Sequence, residues 1–216
     1  MEFSATMKIG SITIRPANPQ DVPLAVECFR LSMDEFADQM FGSVPGHSTD
    51  AVLADLFSYR KGRFSYRYGN VAEWDGQPVG LLVAYPSSLM PRLDLEMGRP
   101  LLSRFGLMNL LRLLRSLRSY AGVREVGRGE YYVSNLAVSR RFQGRGIGTC
   151  LLAYGDEQAQ KLHLKKCSLL VALNNDGARR LYERAGYCVL RTWEIRHADG
   201  RVDGTRRMVK LLPVIG

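Results

Sequence analysis

The sequence predicts a mixed α/β (α+β) domain in which one mixed sheet carries helices on its faces. Segments with period-two alternation of apolar residues are interleaved with segments that repeat apolar residues at helical spacing. The resulting order, β-α-α-β-β-(helical insertion)-β-α-β-α-β-β, suits a sheet covered by helices. A length of 216 residues is on the order of one domain, so we expect residues 1–216 to form a single unit.

The first predicted elements are a strand and a capped helix. Residues 11–15 alternate and are rich in β-forming residues, and Pro16 ends the strand. Asn18 and Pro19 then supply a helix N-cap and a proline at the first helical position. A second helix is predicted over residues 50–57.

Strands and helices continue to alternate through the rest of the chain. Asp75-Gly76 separates two β-runs within residues 70–85, which is a strong hairpin signal. Beyond an insertion at about 86–129, the predicted elements are a strand at 130–138, a helix around 151–162, a strand at 166–173, a helix around 178–185 and a final antiparallel pair at 187–196 and 207–212.

The chain is basic, and its charge is unevenly distributed. Thirty lysines and arginines against 21 acids give a net charge of +9. Residues 91–145 hold eleven arginines and four acids, so most of that charge lies in one quarter of the chain. A local positive field attracts polyanions such as nucleic acid, membrane headgroups or a phosphorylated cofactor. The alternative is a solvated basic face.

Composition argues against several classes of protein. No apolar run approaches the ~20 residues that a transmembrane helix needs, and the first ten residues lack the apolar core of a signal peptide. The four cysteines lie far apart without a C-x-x-C pair, and there are only three histidines. We therefore expect no metal site, no disulfide framework, and reduced thiols in the cytoplasm.

A glycine-rich segment lies between a predicted strand and a predicted helix, where residues 143–148 read Q-G-R-G-I-G. Glycines let the backbone approach a ligand, successive N–H groups can converge on an anion, and the helix N-terminus adds its positive end. The segment lacks the dinucleotide-binding G-x-G-x-x-G pattern and the P-loop lysine. A pyrophosphate is its natural ligand, and a plain glycine-rich turn is the alternative.

A second motif runs from Asn175 to Tyr187, and taken alone it indicates a short helix in which Tyr182 merely packs. Together, the two motifs resemble the GCN5-related N-acetyltransferase (GNAT) superfamily. Its phosphate loop has the form Q/R-x-x-G-x-G/A after a strand that ends like residues 136–138, and N-x-x-A-x-x-L-Y-x-x-x-G-F/Y lies downstream. The resemblance implies a GNAT-like central, mixed, mostly antiparallel sheet flanked by helices, with a helical insertion at about 86–129.

The resemblance also implies a site for acetyl-CoA (coenzyme A) as co-substrate, with no metal. Backbone N–H groups of residues 143–149 would hold the pyrophosphate, and backbone groups of Leu136 and Val138 would pair with the pantetheine arm. The N–H of Leu136 would lie near the thioester oxygen, and Asn175 would contact the arm. The implied cofactor-binding residues are Leu136, Ala137, Val138, Gln143, Gly144, Arg145, Gly146, Ile147, Gly148, Thr149, Asn175 and Tyr182.

Direct transfer to a bound amine is implied, with Tyr182 as the acid that protonates the leaving thiolate. A tyrosine with an ordinary pKa near ~10 is protonated at neutral pH. Several family members carry a glutamate as base at the position that Tyr132 holds here. Glu130, about 7 Å away on the same face of the strand, is our candidate base. An exposed acid at the strand end is the alternative interpretation of Glu130, and Glu73 is a weaker candidate base.

The insertion contains a predicted helix over residues 101–120 with an arginine face. Four arginines fall within about 120° of one another on it, namely Arg104, Arg112, Arg115 and Arg118. Three interpretations remain open. The helix docks by its leucines with the arginines in water, it forms a lid that favours acidic acceptors, or it lies on a membrane surface.

We therefore expect an acetyl-CoA-dependent N-acetyltransferase that transfers an acyl group directly to a primary amine of a small molecule or protein. The alternative from another class is a non-catalytic acyl-CoA-binding sensor or interaction module. A nucleic-acid partner would rest only on the arginine cluster, without an RNA-binding signature. We expect neither nucleic acid nor a membrane as partner, and a homodimer stays open.

Overall fold

An eight-stranded sheet forms the centre of the computed structural model, which describes residues 7–9, 11–42, 46–116, 123, 125–196 and 202–213. The strands are β1 (Met7–Ile9), β2 (Ile12–Pro16), β3 (Gly69–Trp74), β4 (Gln77–Pro86), β5 (Tyr131–Val138), β6 (Lys166–Ala172), β7 (Cys188–Arg196) and β8 (Val202–Leu211). Their order is β1-β2-β3-β4-β5-β6-β8-β7, and every neighbouring pair is antiparallel except β5–β6. The predicted mixed, mostly antiparallel sheet is confirmed.

Helices cover both faces of this sheet. They are α1 (Val22–Met33), α2 (Glu35–Phe41), α3 (Thr49–Ser58), α4 (Met90–Ser116), α5 (Ile147–Lys161) and α6 (Asp176–Arg184). Each predicted strand and helix outside the insertion has a counterpart, whereas β1 and α2 are additional to the prediction. Both are short, and Asp34, at φ 49°, interrupts the helical conformation between α1 and α2. Seven residues are too few to establish a helical period against such a break.

The apolar core has two halves, one on each face of the sheet. On the first, the rings of Phe29 of α1 and Phe57 of α3 meet edge to face with centroids 6.1 Å apart. On the second, Leu151 and Tyr154 of α5 are fully buried against the strands. Full burial of one such side chain contributes about 1.5–3 kcal/mol. We refer to the two sides as the α1 face and the α5 face.

The predicted cap at Asn18 is present and is tied to the first hairpin, but it caps a single 3-10 turn, Pro19–Asp21, that leads into α1. The side chain of Asn18 accepts from the N–H of Gln20, and the carboxylate of Asp21 accepts from the N–H of Asn18. Arg15 of β2 donates to Asp21 at 2.8 Å and to Glu73 of β3 at 2.7 Å. The start of the helical segment and the hairpin around Asp75-Gly76 are therefore joined through one guanidinium group.

The sheet opens between β5 and β6. Their parallel pairing covers only Tyr131–Val133 against Cys167–Leu169. Directly beyond it β5 contains a bulge, because Ser134 is the extra residue between the partners of Val83 and Ala84 in β4. From there β5 stays with β4, while β6 stays with β8 as far as Ala172. The divergence leaves a gap with one strand edge on each side.

The insertion is helical, as predicted, but its helix differs from the prediction in extent and continuity. The helix α4 begins at Met90, earlier than residue 101, and it is interrupted at Gly106, where φ is 73° and ψ is 167°. Leu93 and Leu101 are buried, which anchors the first part to the α1 face. Leu107 and Met108 are 60% and 67% exposed just after the break.

The predicted arginine face lies outside the described part of the insertion. This applies to the side chains of Arg104, Arg112 and Arg115 and to the whole of Arg118. The three interpretations of that face therefore stay predictions. Within the ranges that the structure describes, no helix combines the length and the hydropathy that crossing a bilayer requires.

Candidate active site

A cleft of about 630 Å³ lies where the sheet opens, between the end of β5 and the starts of α5 and α6. Of the twelve residues implied as cofactor-binding, eleven line it. The exception is Arg145, whose guanidinium lies over the rings of Trp74 and Phe142, 5.6 and 5.3 Å from their centroids. The structure thus brings two motifs about thirty residues apart in sequence to one place.

The glycine loop forms one wall of the cleft and has a backbone that favours glycine. Gly144 and Gly146 have φ values of 77° and 82°, in the left-handed region. Gly146 immediately precedes α5, so the unpaired N–H groups of the first turn lie beside the cleft. Gln143 donates from its side chain to the carbonyl of Val138 at 2.9 Å, which ties the loop to β5. The loop is a preformed concave surface suited to an anion.

Gly148 lies at a close contact between α5 and α6. A Cβ atom at this position would lie 3.1 Å from Cδ2 of Leu181. The second motif therefore packs directly on the first through Leu181. Without a side chain at Gly148, the two helix starts approach each other and line the same cleft.

The gap between β5 and β6 continues the cleft into the sheet. It is lined by residues 133–136 of β5, by residues 170–172 of β6, and by Asn175, Ala178 and Tyr182. Oδ1 of Asn175 accepts from the N–H of Ala178 at 3.0 Å, so this side chain caps α6 while also lining the gap. An extended ligand could enter here beside the exposed edge of β5.

Tyr182 lies at the junction of the cleft and the gap. It lines both, is 6% exposed, and packs with its ring centroid 6.1 Å from that of Tyr187. Burial raises the pKa of Tyr182 to about 12. The hydroxyl therefore remains protonated well above neutral pH, as an acid requires. Packing and acid roles are both compatible with this position.

Glu130 is buried in an ion pair, so the interpretation of it as an exposed acid at the strand end is wrong. It is 5% exposed, and Arg207 Nη2 donates to both of its carboxylate oxygens at 2.6 Å. The N–H of Gly127 donates to Oε2 at 2.8 Å. Burial raises the pKa of Glu130, but the hydrogen bonds from Arg207 and Gly127 outweigh it and bring the pKa below its ordinary value of 4.5. The assignment of Glu130 as base stays a prediction, and these contacts weigh against it.

We expect Glu130→Gln to lower the free energy of unfolding by about 3–5 kcal/mol, because it leaves the buried Arg207 without a counter-charge. Urea unfolding followed by circular dichroism measures this. The pair stabilises the wild type above pH ~4.5, and its contribution is lost as pH falls through the lowered folded-state pKa. Acidification should therefore destabilise the variant less than the wild type.

Glu73→Gln is the matched control, because Glu73 and Arg15 form a pair whose side chains are 20% and 24% exposed. Partly exposed pairs contribute at most about 1 kcal/mol. Equal losses for the two variants would contradict a special role for the buried pair. The same pair holds Glu73 at the first hairpin, where it does not line the cleft or the gap described above.

A polar cluster on the α1 face, which the sequence analysis did not identify, borders the opened part of the sheet. Tyr85 and Tyr132 lie opposite each other in β4 and β5, with ring centroids 6.0 Å apart. Arg63 donates from Nε to the Tyr85 hydroxyl at 3.1 Å, and Tyr132 donates to Oε2 of Glu125 at 3.1 Å. The tyrosines could have been anticipated from strand register. Arg63 and Glu125 come from irregular segments and give no sequence signal.

Comparison with known proteins agrees with this architecture. The sequence model of one protein family, the acetyltransferase (GNAT) family, matches residues 31–187, which is more than half of the chain. No protein of curated function matches the chain in sequence.

Several solved structures share the fold. An N-acetyltransferase from Staphylococcus aureus Mu50 is 20% identical, with a TM-score of 0.66 over 91% of this chain and 98% of that one. Another acetyltransferase is 24% identical, with a TM-score of 0.64 over 93% and 99%. The ribosomal-protein-S18-alanine N-acetyltransferase from Escherichia coli is 15% identical, with a TM-score of 0.54 over 95% and 96%. With the fold, the cleft and the family match in agreement, the chain belongs to the GNAT family of acetyltransferases.

Proposed function

We propose that the protein transfers an acetyl group from acetyl-CoA directly to a primary amine of a small molecule or protein. The observation that carries this proposal is the continuous cleft in which the glycine loop, the open edge of β5 and Tyr182 meet. Four free cysteines, two of them buried, are consistent with a reducing compartment, and we place the protein in the cytoplasm.

The residues of the cleft fit a pantetheine-linked diphosphate. The glycine loop offers backbone donors at a helix start, which suits a pyrophosphate. The gap offers a strand edge at Leu136 and Val138 with which an amide-bearing arm can pair. When bound, acetyl-CoA supplies an acetyl thioester that is activated toward amines. The N–H of Leu136 would then donate to the oxygen on which negative charge develops.

Tyr182 would return a proton to the departing sulfur. A thiolate leaves more readily when a positioned acid protonates it, and the burial that raises the pKa of Tyr182 to about 12 keeps that acid in its protonated form. The amine must lose a proton to attack, so a base on the acceptor side is also required. Glu130 is the base proposed from the sequence. A preference for acidic acceptors is a further proposal, which rests on the arginines of the insertion.

The second candidate function is a non-catalytic acyl-CoA-binding module. It is favoured by one feature, the ion pair that occupies both oxygens of Glu130. Such a module would bind coenzyme A in the same cleft and would not transfer the acetyl group.

An assay of thiol release separates the two candidates. The purified chain is incubated with acetyl-CoA and a panel of amines, polyamines, amino acids and peptides, and calorimetry measures coenzyme A binding in parallel. We expect saturable binding and amine-dependent thiol release with at least one acceptor class. Binding without transfer would favour the module. Absence of binding would contradict both candidates.

A further inference from the structure

The Arg63 cluster consists of Arg63, Tyr85, Asp94, Glu125 and Tyr132. It lies on the α1 face, directly beside Val133 and Ser134, which line the gap. Tyr85 and Tyr132 belong to the core on that face. Ser134 lies within hydrogen-bonding reach of the Tyr85 hydroxyl and also lines the gap, which connects the cluster to the opened sheet. The glycine loop leads onto α5, on the other face. A second substrate that meets the end of the gap from the α1 face would therefore pass this cluster.

Hydrogen bonds organise the cluster around one carboxylate. The Tyr132 hydroxyl donates to Oε2 of Glu125 at 3.1 Å. Arg63 donates from Nη1 to Oε1 at 3.4 Å and from Nη2 to Oε2. Asp94 contacts the same guanidinium at 3.4 Å but makes no described bond to Tyr132. Among the residues that the structure describes, the charged and titratable groups that face Glu125 are Arg63, Asp94, Tyr85 and Tyr132.

Solvent exposure of the side chain distinguishes Glu125 from Glu130. The Glu125 side chain is 32% exposed, whereas that of Glu130 is 6% exposed. Protonation of Glu130 would break its ion pair and leave the Arg207 charge buried, which is costly. Protonation of Glu125 would leave Arg63 with a second carboxylate, Asp94, at 3.4 Å, and the partly exposed Glu125 side chain can pass the proton to water. It also keeps its hydrogen bond to Tyr132, since that hydroxyl is the donor.

The charge of the cluster suits a cationic group. One guanidinium faces two carboxylates, so the cluster carries a formal charge of −1 in a chain whose net charge is +9. A local negative site of this kind favours the ammonium form of an amine. The Tyr132 oxygen, which donates its proton to Glu125, keeps its lone pairs to accept a proton from such a group.

We propose that Glu125, acting through the Tyr132 hydroxyl, receives the proton of the acceptor amine. This inference rests on the proposed function. An N–H bond of the ammonium breaks and an O–H bond forms at Tyr132, whose own proton passes to Oε2 of Glu125. The electron pair stays on nitrogen and forms the new bond to the acyl carbon. The C–S bond breaks, and the sulfur takes the proton of Tyr182. Glu125 then releases its proton to solvent.

The test compares three variants of the full chain, Glu125→Gln, Tyr132→Phe and Tyr131→Phe, with the acceptor that gives the fastest thiol release in the panel. At pH 7 we expect kcat/KM to fall by about 10²-fold for the first two. The loss should shrink as pH rises toward the pKa of the amine, because more of the acceptor is already neutral. The double variant should lose no more than either single variant, as expected for residues that act as a unit.

Tyr131→Phe is the matched control. Tyr131 is the neighbouring residue of β5 and is as deeply buried as Tyr132, but it packs in the core on the α5 face, so kcat/KM should stay within about twofold of wild type. Coenzyme A affinity, measured by calorimetry, should be unchanged in all three variants. If Glu125→Gln does not fold, Tyr132→Phe carries the same test, because it keeps the buried ring.

Three results would overturn the inference while leaving the proposed function intact. They are full activity of Glu125→Gln and Tyr132→Phe, a loss of activity that is constant with pH, and the expected pH dependence in Glu130→Gln instead. A wild-type protein that transfers acetyl to no amine would overturn the proposed function and this inference with it. The two failures are therefore distinguishable.

Discussion

Replacement of Tyr182 with Phe should lower kcat by at least tenfold and leave coenzyme A affinity and the melting temperature close to wild type. The change deletes a hydroxyl and keeps a ring that is 6% exposed and packed against Tyr187. Positioned proton transfer contributes about 10²–10⁴ in rate, so the loss appears in single-turnover acetyl transfer if chemistry limits turnover. With the pKa of Tyr182 at about 12, wild-type kcat should show no loss from its deprotonation up to pH 10.

Tyr187→Phe is the matched control for that experiment. Its ring is 2% exposed beside Tyr182, but it does not line the cleft or the gap. The change should alter only the free energy of unfolding, and kcat should stay near the wild-type value. Equal kcat values for Tyr182→Phe and the wild type would remove Tyr182 from the acid role and leave it as a core residue.

The second large effect is expected at the glycine loop, where Gly146→Asp should weaken coenzyme A binding by at least an order of magnitude. The substitution places a negative charge at the start of α5, where a pyrophosphate is proposed to bind. It also strains the backbone, since φ at Gly146 is 82°. Isothermal titration calorimetry on the folded variant measures the change.

Gly76→Asp separates strain from charge in this comparison. Gly76 has φ 80° at the turn between β3 and β4, and open space surrounds a Cβ at both glycines. The control should therefore carry similar strain without changing coenzyme A affinity. If Gly146→Asp bound coenzyme A as tightly as Gly76→Asp does, the glycine loop could not be the phosphate site.

Local signals account for most of what could be predicted. The hairpin around Asp75-Gly76, the N-cap at Asn18 and the glycine loop each depend on residues that are neighbours in sequence, and the fold contains all three. The meeting of the two motifs at one cleft could also be predicted, but from the family resemblance, because the shared fold places both motifs there. The helix break at Gly106 was not anticipated, although glycine is the residue that adopts its positive φ most readily.

Contacts between distant residues account for the rest. Glu130 and Arg207 are 77 positions apart, and Arg63 and Glu125 are 62 apart. In neither pair does the sequence around one residue indicate which residue it will contact. A strand-end glutamate therefore resembles an exposed acid in sequence, and only the packing of β8 beside β6 shows that it is buried. The contact between Tyr132 and Glu125 could not be predicted either, because Glu125 lies in an irregular segment.

The short parallel contact between β5 and β6 divides the sheet into two plates joined along a seam. The first plate comprises β1 to β5, and the second comprises β6, β8 and β7. Only three residue pairs cross the seam in the backbone ladder, and the Glu130–Arg207 pair is a side-chain bridge between the plates. A ligand that enters the gap would add contacts to both plates. A ligand that binds in the gap should therefore also stabilise the contact between the two plates.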